Sequence, residues 1–435
     1  MEEVEARPGT YGGVWYCCGQ ATLLPGKSYV YSGPMATYCA WHRPMAVYAP
    51  EVEGTFFVFG DADNAPAIGR YDHRTGRFSG PAVLGSNPDG DAHRNPTLLI
   101  DREGFLNVFY GAHGRATRAL RSKRPYDVAT WVPCADIPDT SYPQPWELLP
   151  GEVFVSYRGG SAREGTWWRF RRSLDGGRSW EAPRDLVAFE GCAIYGVTVA
   201  EAGPYPRRVH FAWSRLGGGT EEEVRTKHLW ARRYNVYYAC SDDGGETWRR
   251  SDGTRCALPI TEETAEKVYD CGQRGVWLKD IQLDAGGNPC VLFLDADPGT
   301  YESVWKFARL VEGRWRFSDL TVSDHMYDDG GLVILKGDDF RVYAPTTAAQ
   351  PHEDGGEVEE WRSSDGGLTW RHARSLTSGS LYSHNNVKVV FNHQLGKGDF
   401  RVFWSYGDSL FPPATREVRM YCYGEALPGP RLIEV

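Results

Sequence analysis

Three copies of one short phrase constrain this chain more than any other feature: Ser173-Leu-Asp-Gly-Gly-Arg-Ser-Trp180, Ser241-Asp-Asp-Gly-Gly-Glu-Thr-Trp248 and Ser363-Ser-Asp-Gly-Gly-Leu-Thr-Trp370. Asp-Gly-Gly makes a tight hairpin turn, because Gly tolerates positive φ and Asp bonds its own backbone. The Ser and Asp side chains can satisfy turn amides. The Trp can plug the gap between neighbouring sheets. A turn that recurs with its partners points to a repeating antiparallel unit.

The phrase resembles the Asp-box of sialidase-type β-propellers, which implies an all-β fold of four-stranded antiparallel blades. Degenerate copies stand at Tyr71-Asp-His-Arg-Thr-Gly-Arg-Phe78, Arg124-Pro-Tyr-Asp-Val-Ala-Thr-Trp131 and Glu312-Gly-Arg-Trp-Arg-Phe317. Blade-ending turns then fall near 71, 124, 173, 241, 310 and 363, in steps of about 50 to 70 residues, the range of four-strand blades. Strands with β-alternation precede the turns at Thr55–Phe59, Leu106–Tyr110, Glu152–Tyr157 and Val209–Trp213. Tail strands Arg401–Tyr406 and Glu417–Tyr423 would make a last blade. An N-terminal strand near Val14–Tyr16 or Ala21–Leu24 is expected to close it. The expectation is a seven-bladed β-propeller forming a single domain over residues 1–435, ahead of a six-bladed ring with an odd tail.

Composition fits this reading. Aromatic residues make up 13% and there are 50 Gly, which favours short strands and tight turns over helices. No apolar run approaches transmembrane length, so no membrane partner is expected. The formal net charge of -9 argues against a nucleic-acid partner. A local cluster of Arg and His can still receive an anionic sugar. The 10 Cys are scattered without a CxxC pair, and Cys17-Cys18 reads as part of a strand. Met1-Glu-Glu-Val-Glu-Ala-Arg7 lacks the pattern of a signal peptide. The compartment is left open: cytoplasmic, or secreted or periplasmic if a signal was removed.

Polar residues at strand ends are the candidates for chemistry. His93 lies in Gly90-Asp-Ala-His-Arg-Asn-Pro96 and His113 in Phe109-Tyr-Gly-Ala-His-Gly114. One hairpin of that span can carry both imidazoles to one rim. Tyr157 and Arg171 lie on neighbouring strands further on. The run Asp91-Ala-His-Arg-Asn-Pro96 followed by Asp101 to His113 resembles the BNR-4 group of propellers. So do Pro44–Glu51, Tyr142-Pro-Gln-Pro-Trp146, Asp324-His-Met-Tyr-Asp328 and Ser383-His-Asn-Asn386. That group includes ulvan lyases and rhamnose–glucuronate lyases, with related α-L-rhamnosidases.

The resemblance implies a polysaccharide lyase acting on an acidic polymer of rhamnose and uronic acid. Cleavage of the rhamnosyl-(1→4)-uronate linkage by β-elimination would give a 4,5-unsaturated uronate. It also implies a catalytic set of His93, His113, Tyr157 and Arg171. The chemistry needs each type. An Arg neutralises the carboxylate and the charge that develops at C5. A neutral His is a base near physiological pH, and a second His or a Tyr serves the leaving O4. His113 or Tyr157 is assigned as base and His93 as acid or carboxylate partner. No metal or other cofactor is required.

Asn95, Arg158, Arg172, Arg233, His325, His384, Asn385 and Lys388 are candidate substrate-binding residues, with turn, cap or packing roles as the alternative. Trp146 and Trp213 could stack on sugar rings. His42 is the site of the competing reading, an α-L-rhamnosidase working from the opposite face; its bland alternative is a buried His bonded to a backbone carbonyl. A non-catalytic carbohydrate-binding propeller is a third reading. His210, His228 and Cys240 are weak candidates for a structural zinc, and calcium stays open.

Overall fold

The computed structural model describes residues 3–24, 27–160, 165–200, 207–217, 233–297, 300, 302–347, 350 and 354–435. Nearly all regular structure is antiparallel β. The chain runs as successive meanders. The first uses Ala46–Ala49, Gly54–Gly60, Pro66–Asp72 and Ala82–Val83. The second uses Thr97–Ile100, Leu106–Tyr110, Arg115–Ser122 and Thr130–Pro133. The third uses Ile137–Leu149, Glu152–Gly159, Trp167–Ser173 and Arg184–Val187. The fourth pairs Cys192–Ala200, Val209–Gly217 and Arg233–Ser241, with Glu266–Tyr269 on the outside. Gly275–Leu283 to Arg314–Ser323 form the fifth, Gly331–Ile334 to Arg371–Ser375 the sixth and Ser383–Phe391 to Arg431–Leu432 the seventh.

The first strand of each meander lies beside the first strand of the next. The last of them, Ser383–Phe391, pairs in parallel with the first, Val390 opposite Ala46. First strands therefore carry residues buried from both sides, and their polar members bond to one another. Gln144 donates to the carbonyls of Trp41 and Gly196 and accepts from Thr198. Arg43 donates to Asp280 at 2.7 Å, and Lys279 donates to Asp329 at 2.7 Å.

The three phrases fold alike. Ser241 Oγ donates to Asp243 Oδ1 at 2.8 Å and accepts from the Gly245 amide at 2.8 Å. Asp243 accepts from the amide and hydroxyl of Thr247 at 2.9 and 2.6 Å. Gly244 and Gly245 adopt φ of 73° and 92°, and a side chain on Gly245 would strike Phe170 and Phe154. The phrase tryptophans reach the preceding units. Trp248 is buried against Phe154 and Phe170, Trp180 donates to Ala135 O, and Trp370 donates to Ser318.

One expectation is corrected. The N-terminal strand does not close the last meander, because Arg431–Leu432 already supplies its outer strand. Val4–Glu5 and Arg7–Pro8 instead extend the outer edges of the second and first meanders. Trp15–Leu24, which includes Cys17 and Cys18, pairs with Lys27–Pro34 in a separate hairpin. Cys39, Cys134, Cys192, Cys240, Cys256, Cys271, Cys290 and Cys422 carry free thiols. No helix among the described residues is long and apolar enough to cross a membrane.

Asp243→Ala removes the shared acceptor of one half-buried turn. It is expected to cost about 1–3 kcal/mol, read as a lower urea midpoint with an unchanged slope. An unchanged midpoint would show that the turn does not depend on its carboxylate.

Candidate active site

Asp91 organises the site. Its side chain accepts from the His93 amide and caps the short 3-10 turn Ala92–Arg94. His113 sits between the second and third strands of the same meander, flanked by Gly111 and Gly114 at positive φ. Asp91 Oδ1 accepts from His93 Nδ1 at 2.6 Å and Oδ2 from His113 Nδ1 at 2.6 Å. The imidazoles stack with centroids 4.2 Å apart and planes 11° from parallel.

A carboxylate only accepts, so each Nδ1 must carry the proton. In the neutral form each Nε2 is then a lone pair. Tyr38 Oη lies 3.1 Å from His93 Nε2, and Tyr16 Oη lies 3.3 Å from His93 Nδ1. Burial pushes the His93 imidazole down to about 4, against the pull of Asp91. Burial opposes ionisation of Asp91 too, but the bonds from His113 and His93 hold its carboxyl well below the usual range. The His113 side chain is 31% exposed against 8% for His93, so His113 is the imidazole open to a ligand. The three groups lie within 4.8 Å of one another, a closeness that the two hydrogen bonds account for.

The aromatic wall comes from the next meanders. Tyr142 stands 6.1 Å from His93 and 6.2 Å from His113, ring to ring. It occupies a bulge, where the register slips between Ser141 and Gln144 and Tyr142 takes φ 57°. A bulky residue in left-handed backbone is strained, and such strain gathers at functional sites. The Arg158 guanidinium lies over Tyr142 at 4.9 Å and over Tyr195 at 4.7 Å. Arg233 covers Tyr195 at 4.5 Å and Trp41 at 4.9 Å. Burial raises Tyr142 well above the ordinary phenol range. Burial pushes Tyr195 the same way, but the flanking Arg158 and Arg233 outweigh it and hold Tyr195 below that range.

His93 and His113 thus meet, as the hairpin between them allows. Tyr157 and Arg171 are placed elsewhere. Arg171 donates to Tyr157 Oη at 3.1 Å and to the Glu181 carbonyl at 2.8 Å. Tyr157 packs with Leu99, Phe109 and Val155 in the layer facing the second meander. Strand alternation sends Arg158 the other way, toward Tyr195. Arg172 pairs with Glu181 and Glu246.

Most other sequence candidates are taken up by the protein itself. Asn95 donates to the carbonyls of Met35, Ala36 and Tyr38, which fastens the His93 loop to residues 35–38. His325 is fully buried and its Nδ1 accepts from the Tyr327 amide. His384 accepts from Trp404 Nε1 at 2.9 Å, Asn385 donates to Asp354, and Lys388 is buried 4.0 Å from Asp329. Trp146 donates to Thr198, and Trp213 stacks on Phe211 and Tyr237. His42 is 1% exposed, accepts from the Cys39 amide at Nδ1 and has Nε2 2.9 Å from the His93 carbonyl. With both nitrogens engaged, His42 braces the His93 loop. His210 meets Tyr238 Oη at 2.6 Å, opposite Cys240 in register; His228 lies outside the described residues.

Sequence reasoning missed Tyr16, Tyr38 and Tyr195 as site residues, and treated Tyr142 only as part of a phrase. The one available signal was Pro143 and Pro145, which cannot donate to a ladder and so mark a bulge.

The family model for BNR repeat-containing family members matches residues 36–323. This chain belongs to that family. It resembles the ulvan lyases in particular. A PL25 ulvan lyase of Pseudoalteromonas sp. (strain PLSV) is 26% identical over 361 residues, 72% of this chain and 70% of that protein. The ulvan lyase of Alteromonas sp. (strain LOR) is 26% identical over 436 residues, 90% of this chain and 85% of that protein. Among solved structures, a PL25 ulvan lyase bound to -[GlcA(1-4)Rha3S]- matches with a TM-score of 0.76 at 19% identity, covering 98% of this chain and 96% of that one. The two share a fold.

The buried imidazoles also set a pH limit on this fold. Burial lowers His93 and His384 to about 4, and His42, His210 and His325 to about 3, from 6.5. Between those values and 6.5 the unfolded chain binds more protons, so stability rises with pH and is lost as pH falls. The urea midpoint should drop between pH 7 and pH 5. A flat midpoint would mean that the imidazoles titrate normally in the folded protein.

Proposed function

We propose that this chain is a polysaccharide lyase that cleaves a rhamnosyl-(1→4)-uronate linkage by β-elimination and leaves a 4,5-unsaturated uronate. The observation that carries the reading is one open imidazole nitrogen, at His113, oriented by a carboxylate and set beside a protonated phenol and a guanidinium. The kinship with ulvan lyases supports an acidic rhamnose–uronate polymer as substrate. The order of first strands, with the last beside the first, supports a ring of seven blades that make one domain, with this site at one mouth.

Each residue has one task. Arg158 pairs with the uronate carboxylate and offsets the charge that develops as C5 loses its proton. His113 Nε2 takes that proton, while Asp91 steadies the imidazolium through Nδ1–H. The electron pair left at C5 forms the C4=C5 bond as the C4–O4 bond breaks. Tyr142, kept protonated by burial, donates to the departing O4. The scheme routes no step through a metal.

Incubation with ulvan should raise near-ultraviolet absorbance and reducing ends together. Reducing ends without the absorbance would mean hydrolysis, and silence in both would remove the assignment for this polymer. Among variants, His113→Ala, Tyr142→Phe and Arg158→Gln should each lower kcat/KM by about a hundredfold or more. Tyr157→Phe should stay within about tenfold of the parent, because a hydroxyl bonded only within its own layer contributes through local packing. Loss in Tyr157→Phe with retention in Tyr142→Phe would reverse the choice of tyrosine.

A further inference from the structure

The hydrogen bonds around Asp91 form one directed chain. Tyr38 Oη meets His93 Nε2 at 3.1 Å, His93 Nδ1 meets Asp91 Oδ1 at 2.6 Å, and Asp91 Oδ2 meets His113 Nδ1 at 2.6 Å. Only one set of protons satisfies it. The carboxylate accepts twice, so both Nδ1 atoms donate, and His93 Nε2 must accept from the Tyr38 hydroxyl. Tyr38 is 3% exposed, and its ring stands edge-on to His93 at 4.9 Å. Its backbone carbonyl is held by Asn95, and His42 spans from the Cys39 amide to the His93 carbonyl. The tyrosine and the imidazole it caps are therefore fastened to each other at main chain and side chain.

We propose that Tyr38 is a positioning residue for proton transfer at His113, acting through His93 and Asp91. The proposal rests on the reading of His113 as base. Tyr38 does not touch substrate. Asp91 accepts from His93 Nδ1 and the Tyr38 hydroxyl meets Nε2, so the two together hold the proton of His93 on Nδ1. That imidazole in turn fixes one oxygen of Asp91, and the other oxygen is left to hold His113 with Nε2 bare. Without the hydroxyl, His93 can flip to the tautomer with the proton on Nε2. A lone pair would then face Asp91 Oδ1, the carboxylate would turn or take a proton, and His113 would lose its fixed orientation.

Tautomers are read directly from the nitrogen shifts of 15N-histidine-labelled protein, with His93→Asn to assign the signal. The expected parent spectrum shows His93 protonated at Nδ1 at neutral pH. In folded Tyr38→Phe that signal should change to the other tautomer or to a mixture. The kcat on ulvan should fall about ten- to a hundredfold with KM nearly unchanged, a part of what the transferring imidazole itself contributes. The acid limb of its kcat profile should also move. Two results would overturn the proposal: a parent His93 protonated at Nε2, which needs no variant to observe, or a folded Tyr38→Phe with the parent's kcat and pH profile. A parent with the expected tautomer but no elimination products from ulvan would instead bring down the base assignment on which the proposal rests.

Discussion

A single carboxylate with both oxygens committed governs this site. Asp91 cannot donate, so the two imidazoles that reach it must both do so. That requirement stacks His93 on His113 at 4.2 Å and fixes their tautomers. It divides their roles as well, since His93 is capped by Tyr38 while His113 keeps one nitrogen open. Removing the carboxylate would leave two neutral rings with no reason to share an orientation.

The surroundings follow from where the chain places its first strands. Polar side chains at their ends, such as Asn95 and His42, bond to the loops of a neighbouring unit rather than to solvent. The loop that carries His93 is thereby held from several sides. Guanidinium and aromatic groups alternate from Tyr142 through Arg158 and Tyr195 to Arg233. The stacking keeps two cations close together in a partly dry setting.

The repeating turn is legible in the sequence because the side-chain bonds that shape its loop are local. Ser241, Asp243, Gly245 and Thr247 satisfy one another within seven residues. The meeting of His93 and His113 was legible for a similar reason, since one meander joins them. The separation of Tyr157 and Arg171 from Tyr142 and Arg158 is not. A shift of one residue along a strand reverses the face, and the bulge at Tyr142 breaks the alternation from which faces are read. Tyr38 and Tyr195 enter from units distant in sequence, with no local pattern to mark them. The closing strand was misplaced because a two-residue outer strand, Arg431–Leu432, leaves almost no periodic signal.

The most direct measurement is a crystal structure of His113→Ala with an ulvan oligosaccharide bound. The uronate carboxylate is expected on Arg158, O4 within hydrogen-bond reach of Tyr142 Oη, and C5 facing the space that the His113 ring leaves. A sugar seated on Tyr157 and Arg171, away from His113, would contradict this placement.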